Sequence, residues 1–236
     1  MRRLKMTVAC LLALALPFVA NSCTQEEEMY SCNPEVDNWV KENKDLIRRM
    51  TRSQWCELDY QVSTASYTAF TQSQKIDFWM EKLEEVRKLG WTTEELAHIQ
   101  KVEDFISTHP EFFGDEKLSE KELDDVETYF VKWTKYGKRH FGWSNKTAMA
   151  IVCTGFKMID KNGNMQIPQN GTRSRMTANA VMSSSVEFNC NCNKDSYFTC
   201  IMDPLGSCDD SNCKWDGRDG CGFLMLEECD GTCGGI

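Results

Sequence analysis

Several features that commonly mark an enzyme are missing from this 236-residue sequence. It has three histidines, His98, His109 and His140, on three separate segments, and none has a cysteine or carboxylate at metal-ligand spacing. No nucleophile elbow, Walker loop, dinucleotide fingerprint or zinc-protease helix is present. We interpret the histidines as surface or packing residues. We expect a protein that is not an enzyme and that needs neither cofactor nor metal.

Positive charge is also scarce. The formal net charge is −9, and no basic stripe is present that could neutralise phosphate groups, which argues against a nucleic-acid partner. Beyond the N-terminus, no segment is long and apolar enough to span a bilayer.

The N-terminus resembles a bacterial lipoprotein signal peptide over residues 1–22. Three basic residues precede an apolar run over 6–19, which is shorter than a typical transmembrane helix. The sequence Ala20-Asn21-Ser22-Cys23 resembles a lipobox, which implies that Cys23 carries the lipid and begins the mature protein. The alternative is an ordinary signal peptide cut after Ala20 or Ser22, which would leave a soluble secreted protein.

Residues 23–32 form an acidic segment that contains three consecutive glutamates. Such a segment predicts a solvated tether, and it also resembles the acidic signal that exports some Gram-negative lipoproteins to the cell surface. We therefore expect an exported lipoprotein that is anchored to the lipid bilayer of the outer membrane and exposed at the cell surface.

Residues 33–155 have the pattern of a helical domain. Asn33-Pro34 is a typical helix start, and apolar residues follow at helical spacing. Four capping boxes begin further helices, and a last helix is predicted from Asn145 to Cys153, with Gly155 at its end. The capping boxes start at Thr51, Thr71, Thr92 and Ser119. Six of the seven tryptophans lie here, which indicates a helical core.

Residues 156–189 have the composition of a linker with a hairpin at its start, because turn signals and small polar residues replace the helical pattern. The stretch 160–164 has only a faint likeness to a calcium loop, and we reject a calcium site there because the glycine is misplaced and the closing Glu is missing. Arg173 and Arg175 would suit a trypsin-like cut in an exposed linker.

Residues 190–236 hold a dense cysteine cluster, which predicts a small disulfide-rich module of short strands and loops. Its eight cysteines are Cys190, Cys192, Cys200, Cys208, Cys213, Cys221, Cys229 and Cys233. Each bridge would stabilise such a small fold by roughly 2–4 kcal/mol. The spacing does not decide the pairing among 105 alternatives, although a Cys190–Cys192 bridge would be strained. Zinc or an iron–sulfur centre is the rival interpretation, but C-x2-C pairs are absent.

The remaining cysteines of the mature chain, apart from Cys23, are Cys32, Cys56 and Cys153. Cys32 and Cys56 flank the first predicted helix and are candidates for a bridge. Cys153 lies in an apolar helix and is interpreted as a buried free thiol.

The cysteine framework resembles fulvocin C, a small eight-cysteine bacteriocin. The likeness is carried by Cys190-Asn191-Cys192, by Gly220-Cys221-Gly222 and by the closing Cys229–Cys233 stretch. The whole mature chain resembles the bacteriocin fulvocin C-related proteins, in helical stretches such as 38–43, 47–55 and 109–113. The resemblance implies a lipoprotein with a helical part, a disulfide-rich tail and antibacterial action.

Two functions remain open from the sequence. The resemblance implies a precursor or display platform for a disulfide-stapled antibacterial peptide, whose partner would be a target-cell receptor or envelope. The alternative is a non-toxic surface lipoprotein whose tail is a binding head for another surface macromolecule. Residues 189–236 carry three positive and nine negative side chains, a net charge of −6, whereas many membrane-active bacteriocins are cationic because target envelopes are anionic.

The lipobox predicts the behaviour of a Cys23→Ala variant. Because the lipid is attached through the cysteine thiol, the variant should lose labelling by radioactive fatty acid and leave the membrane fraction. Membrane association at the wild-type level in the Cys23→Ala variant would refute the lipoprotein interpretation.

Overall fold

Helices dominate the structure, a computed structural model that describes residues 28–31, 33–166 and 220–228, without the side chains of residues 60 and 61. Residues 187–190, 208–209 and 231–234 are described by their backbone alone. The mainly α class expected from the sequence is confirmed. The leader, Cys23, Cys32 and four of the tail cysteines lie outside the described residues, as do Arg173 and Arg175. Among the described residues, no helix is long and apolar enough to cross a membrane.

Eight α-helices run through the helical part. They are α1 (Pro34–Glu42), α2 (Lys44–Ile47), α3 (Arg52–Trp55), α4 (Tyr60–Thr68), α5 (Gln72–Arg87), α6 (Thr93–Thr108), α7 (Glu120–Phe141) and α8 (Asn145–Val152). Short 3-10 turns cover Pro110–Phe113 and Phe223–Met225. The strands are β1 (Lys157–Met158), β2 (Met165–Gln166), β3 (Glu187–Cys190), β4 (Cys208–Asp209) and β5 (Gly231–Gly234).

The helix starts follow the capping residues that the sequence contains. All four predicted capping boxes are present, at the first residues of α3, α5, α6 and α7. In each box the Thr or Ser hydroxyl accepts from the third helical N–H, while the Gln or Glu side chain accepts from the N-cap N–H. Asn33 caps α1, with its side chain accepting from the N–H of Glu35 at 2.9 Å. These predictions are confirmed.

Helix α4 is absent from the sequence predictions. Its residues 63–67 are all buried, so they show no alternation of polar and apolar faces. The helix contains several serines and threonines, which are weak helix formers, and packing against its neighbours must supply its stability. Trp55 Nε1 donates to the carbonyl of Ser63, and this buried bond ties α4 to α3.

The helices and the segment that follows them share one core. Among its fully buried side chains are Trp55, Trp79 and Phe130. Phe78 packs edge-on against Trp55 with 4.8 Å between ring centroids. Four consecutive residues of the tail, 223–226, belong to the same core.

Residues 156–166 fold back on the helices. They are the start of the segment that the sequence analysis predicts to be a linker. Strands β1 and β2 pair in an antiparallel hairpin, and Phe156 and Met158 are buried. At the hairpin turn, Asp160 accepts from the backbone N–H groups of Asn162 and Asn164 at 2.9 and 3.3 Å. Lys161 Nζ lies 3.0 Å from a carboxylate oxygen of Glu95 on α6.

Two buried basic side chains bond to the backbone just before this hairpin. Arg52 Nε donates to the carbonyl of Gly155 at 3.0 Å, and Lys82 Nζ donates to the carbonyl of Phe156. Arg52 also makes an ion pair of 2.8 Å with Glu85. Burial, followed by the positive charge of Arg52, lowers the pKa of Lys82 from 10.5 to about 7.

The tail strands form a small sheet. β5 lies between β3 and β4 and is antiparallel to both. β3 lies against α4. The described backbone places Cys233 opposite Cys208 in the β4–β5 pair.

The lowered pKa of Lys82 predicts a pH dependence of stability. Between pH 7 and 10.5 the unfolded chain holds a proton on Lys82 that the folded chain releases, so the free energy of unfolding should rise with pH over this window. The rise should amount to a few kcal/mol, since one pKa unit corresponds to about 1.4 kcal/mol. Lys82→Met should remove the contribution of Lys82 to this rise. Chemical denaturation from pH 7 to 9, where tyrosines stay protonated, measures the change.

Lys88→Met is the matched control, because Lys88 lies on the surface just after the same helix and pairs with the exposed Glu84 at 2.8 Å. It should retain the wild-type slope. An unchanged slope in Lys82→Met would mean that Lys82 stays charged in the folded protein.

Candidate functional site: the tail loop in the helical core

Residues 220–228, which we call the tail loop, form a tight turn closed by their own backbone. The N–H of Cys221 donates to the carbonyl of Glu227 and the N–H of Glu227 donates to the carbonyl of Cys221, both at 2.9 Å. The N–H of Gly220 donates to the carbonyl of Met225 at 2.9 Å. These bonds pair backbone donors and acceptors within the turn itself.

Gly222 is required at its position. Its φ is +69°, and a Cβ there would lie 2.2 Å from the carboxyl carbon of Glu227. The Gly220-Cys221-Gly222 triplet, which carries part of the resemblance to fulvocin C, therefore also leaves room for the Glu227 side chain against the backbone of the loop.

Two residues at the tip of the tail loop have unusual backbone angles. Leu224 and Met225 have φ values of 53° and 55°, in the left-handed region that side chains with a Cβ disfavour. The penalty is roughly 1–2 kcal/mol per residue. Such a conformation persists only where the surroundings hold it.

The helices hold the loop by its apolar side chains. Phe223 and Leu224 are 0% exposed, and Met225 and Leu226 are 4% and 3% exposed. Phe223 stacks on Phe130 of α7, with 5.0 Å between ring centroids and 21° between planes. Burying four such side chains favours the folded state by roughly 1.5–3 kcal/mol each, which outweighs the backbone strain at two residues.

A buried hydrogen-bond chain fixes the backbone at the loop tip. The Tyr67 hydroxyl of α4 donates to the carbonyl of Leu224 at 3.3 Å and accepts from Trp79 Nε1 at 3.0 Å. The Tyr67 ring is fully buried. Because Leu224 has no water around it, its carbonyl depends on this hydroxyl for a partner.

Charged groups surround the loop at the surface. Lys117 Nζ lies 2.6 Å from Glu228 Oε1, in a partly exposed ion pair. The carboxylate of Glu227 is close enough to Cys153 to influence its thiol. Burial, and then the negative charge of Glu227, raises the pKa of Cys153 well above its ordinary value.

The structure describes some of the predicted cysteine sites with their side chains and others only in part or not at all. Cys221 is disulfide-bonded, and its partner lies outside the described side chains. Disulfide bonding of the other seven tail cysteines stays a prediction, and the sequence analysis left their pairing open. Cys56 and Cys153 are free and partly buried. The bridge considered between Cys32 and Cys56 is therefore not formed, because the Cys56 Sγ faces the carbonyl of Gly155 at 3.8 Å.

The three histidines are not brought together. His98 is buried, stacked on Trp133, and its Nε2 is 3.0 Å from the Trp133 carbonyl. Burial lowers the pKa of His98. His140 is exposed and stacks on Tyr136, while His109 stacks on Phe112. They pack as the sequence analysis predicted. In the part of the chain that the structure describes, no group of three or more His, Cys, Asp or Glu residues could hold a metal ion.

Comparison with known proteins gives no match to a family model, to a curated protein or to a solved structure.

The sequence analysis did not identify the residues of the helical part that contact the tail loop. Tyr67 lies on α4, a helix that the sequence analysis did not predict. Nothing in the sequence distinguishes Lys117 from other exposed lysines. The signal for the tail side is the run of four large apolar residues at 223–226, the longest apolar run of the cysteine-rich module, because such a run needs a partner surface.

The buried bond to Leu224 predicts the effect of Tyr67→Phe. The change preserves ring volume but leaves the Leu224 carbonyl without its donor and Trp79 Nε1 without its acceptor. The free energy of unfolding should fall by roughly 1–3 kcal/mol. Thermal or chemical denaturation of the oxidised protein measures this loss.

Tyr129→Phe is the matched control. The Tyr129 hydroxyl donates to the carbonyl of Lys101 at 2.8 Å in an exposed position, where water can replace it. Its loss should change stability by less than about 1 kcal/mol. Equal effects of the two substitutions would contradict a special role for the bond at the loop tip.

Proposed function

We propose that the chain is an exported, bacteriocin fulvocin C-related lipoprotein that displays a disulfide-stapled antibacterial tail on a helical base. The observation that carries the proposal is the burial of tail residues 223–226 in the core of the helical part. A tail joined only by a linker would move freely. A tail seated in the helical core is presented in a fixed position.

The leader and the cysteine framework support the same proposal. Cys23, at the lipobox, would anchor the protein in the outer membrane, and the acidic residues before the buried Tyr30 would tether the helical base to it. The eight cysteines would brace the part of the tail that has too little apolar core of its own. The tail would act on the receptor or envelope of a target cell.

One observation favours a second function, in which the tail is a non-toxic binding head. Residues 189–236 have a net charge of −6, which an anionic envelope would repel. Such a head would bind a surface macromolecule with a positive patch and would need no release from the cell.

A growth-inhibition assay distinguishes these two functions. The oxidised protein without its leader, and oxidised residues 189–236 alone, are applied to lawns of related strains. A reduced and alkylated sample of each serves as the matched control, because it has the same sequence without the bridges. We expect a zone of inhibition around the oxidised tail and none around the alkylated control. Absence of inhibition by both oxidised samples would exclude the antibacterial function and leave the binding head.

A further inference from the structure

The tail loop has a conformation that depends on the helices. Leu224 and Met225 are both left-handed, and no glycine stands at either position to relieve the strain. Their side chains and those of Phe223 and Leu226 are buried in the core shared with the helices. The loop therefore has the shape of a ligand that is ordered by its binding site.

The helical side of the contact has the composition of a binding site. Phe130 offers a flat apolar face to Phe223. The Tyr67 hydroxyl, already fixed by Trp79 Nε1, donates to a backbone carbonyl of the loop. Lys117 meets the acidic Glu228 at the edge. An apolar centre, one oriented polar group and a charged rim are what a stable protein–protein contact contains.

A second contact lies beside the first. Strand β3 lies against α4, the helix that carries Tyr67, and pairs with β5 at the end of the chain. Both the beginning and the end of the tail are thus brought to the helical part. The two cysteines of the helices whose side chains are described, Cys56 and Cys153, are free, so neither bridges the tail.

We infer that the helical part is a noncovalent binding site for the tail loop, and that it retains the tail after the linker between them is cut. A proteolytic cut would then be necessary but not sufficient to free the tail, and release would require a second step in which the loop leaves the helical core. The inference deepens the proposed function and rests on it for its biological meaning, but its test does not use killing.

The test uses the full oxidised chain without its leader. A recognition site for a sequence-specific protease is inserted after Arg175, and the protein is cut to completion. A non-reducing denaturing gel then shows whether the two fragments are covalently joined, and size-exclusion chromatography in native buffer shows whether they stay together. We expect two separate bands in denaturant and a single co-eluting complex at micromolar concentration.

Variants of the same cut protein identify what holds the tail. Tyr67→Phe preserves volume and removes the bond to Leu224, and Phe223→Ser removes the stacked ring. Each should raise the dissociation constant of the two fragments at least tenfold, while Tyr129→Phe should leave it unchanged. Helical circular dichroism checks that each variant is folded, and Tyr67→Phe keeps the test valid if Phe223→Ser does not fold.

Three results would overturn the inference. Separate elution of the wild-type fragments would show that the helices do not retain the tail. A covalent link in the non-reducing gel would show that retention is by a disulfide. An unchanged dissociation constant in folded Tyr67→Phe and Phe223→Ser variants would show that the tail loop is not the part that is bound. A tail that is retained but does not inhibit growth would instead count against the proposed antibacterial function.

Discussion

Backbone carbonyl groups that enter a core must find donors there, and in this protein long side chains supply them. The Tyr67 hydroxyl donates to Leu224, Arg52 donates to Gly155 and Lys82 donates to Phe156. Three tryptophans act in the same way. Their acceptors are the carbonyls of Ser63 for Trp55, Val86 for Trp91 and His98 for Trp133. An unpartnered buried carbonyl is expensive, so these bonds determine which chain segments can pack on the helices.

This constraint explains why Lys82, one of two buried lysines among the described residues, lies inside the molecule. Lys82 is fully buried and Lys75 is 2% exposed, with its ammonium group 5.6 Å from the ring centroid of Tyr67. Burying a charge is costly, and the lowered pKa of Lys82 shows that cost. In return, the Lys82 side chain is long enough to reach the carbonyl of Phe156 from helix α5.

Much of the helical fold follows from local sequence signals, and the site does not. Capping boxes and apolar stripes act within one or two helical turns, so α3, α5, α6 and α7 could be predicted at their first residues. Helix α4 could not, because burial on every side removes the periodic pattern. The tail loop could not either: its conformation depends on Phe130 and Tyr67, which lie far away along the chain. The leader, the lipid site and the bridging of the tail cysteines other than Cys221 remain predictions.

The free thiols of Cys56 and Cys153 have a consequence for disulfide exchange in the folded protein. Burial raises the pKa of Cys56 and, more strongly, that of Cys153. Only a thiolate attacks a disulfide, so a thiol held in its protonated form exchanges slowly. In the folded protein, neither sulfur is therefore a ready nucleophile towards a disulfide such as the one that Cys221 forms. Two thiols of a chain rich in cysteine are thus held where they exchange slowly with its disulfides.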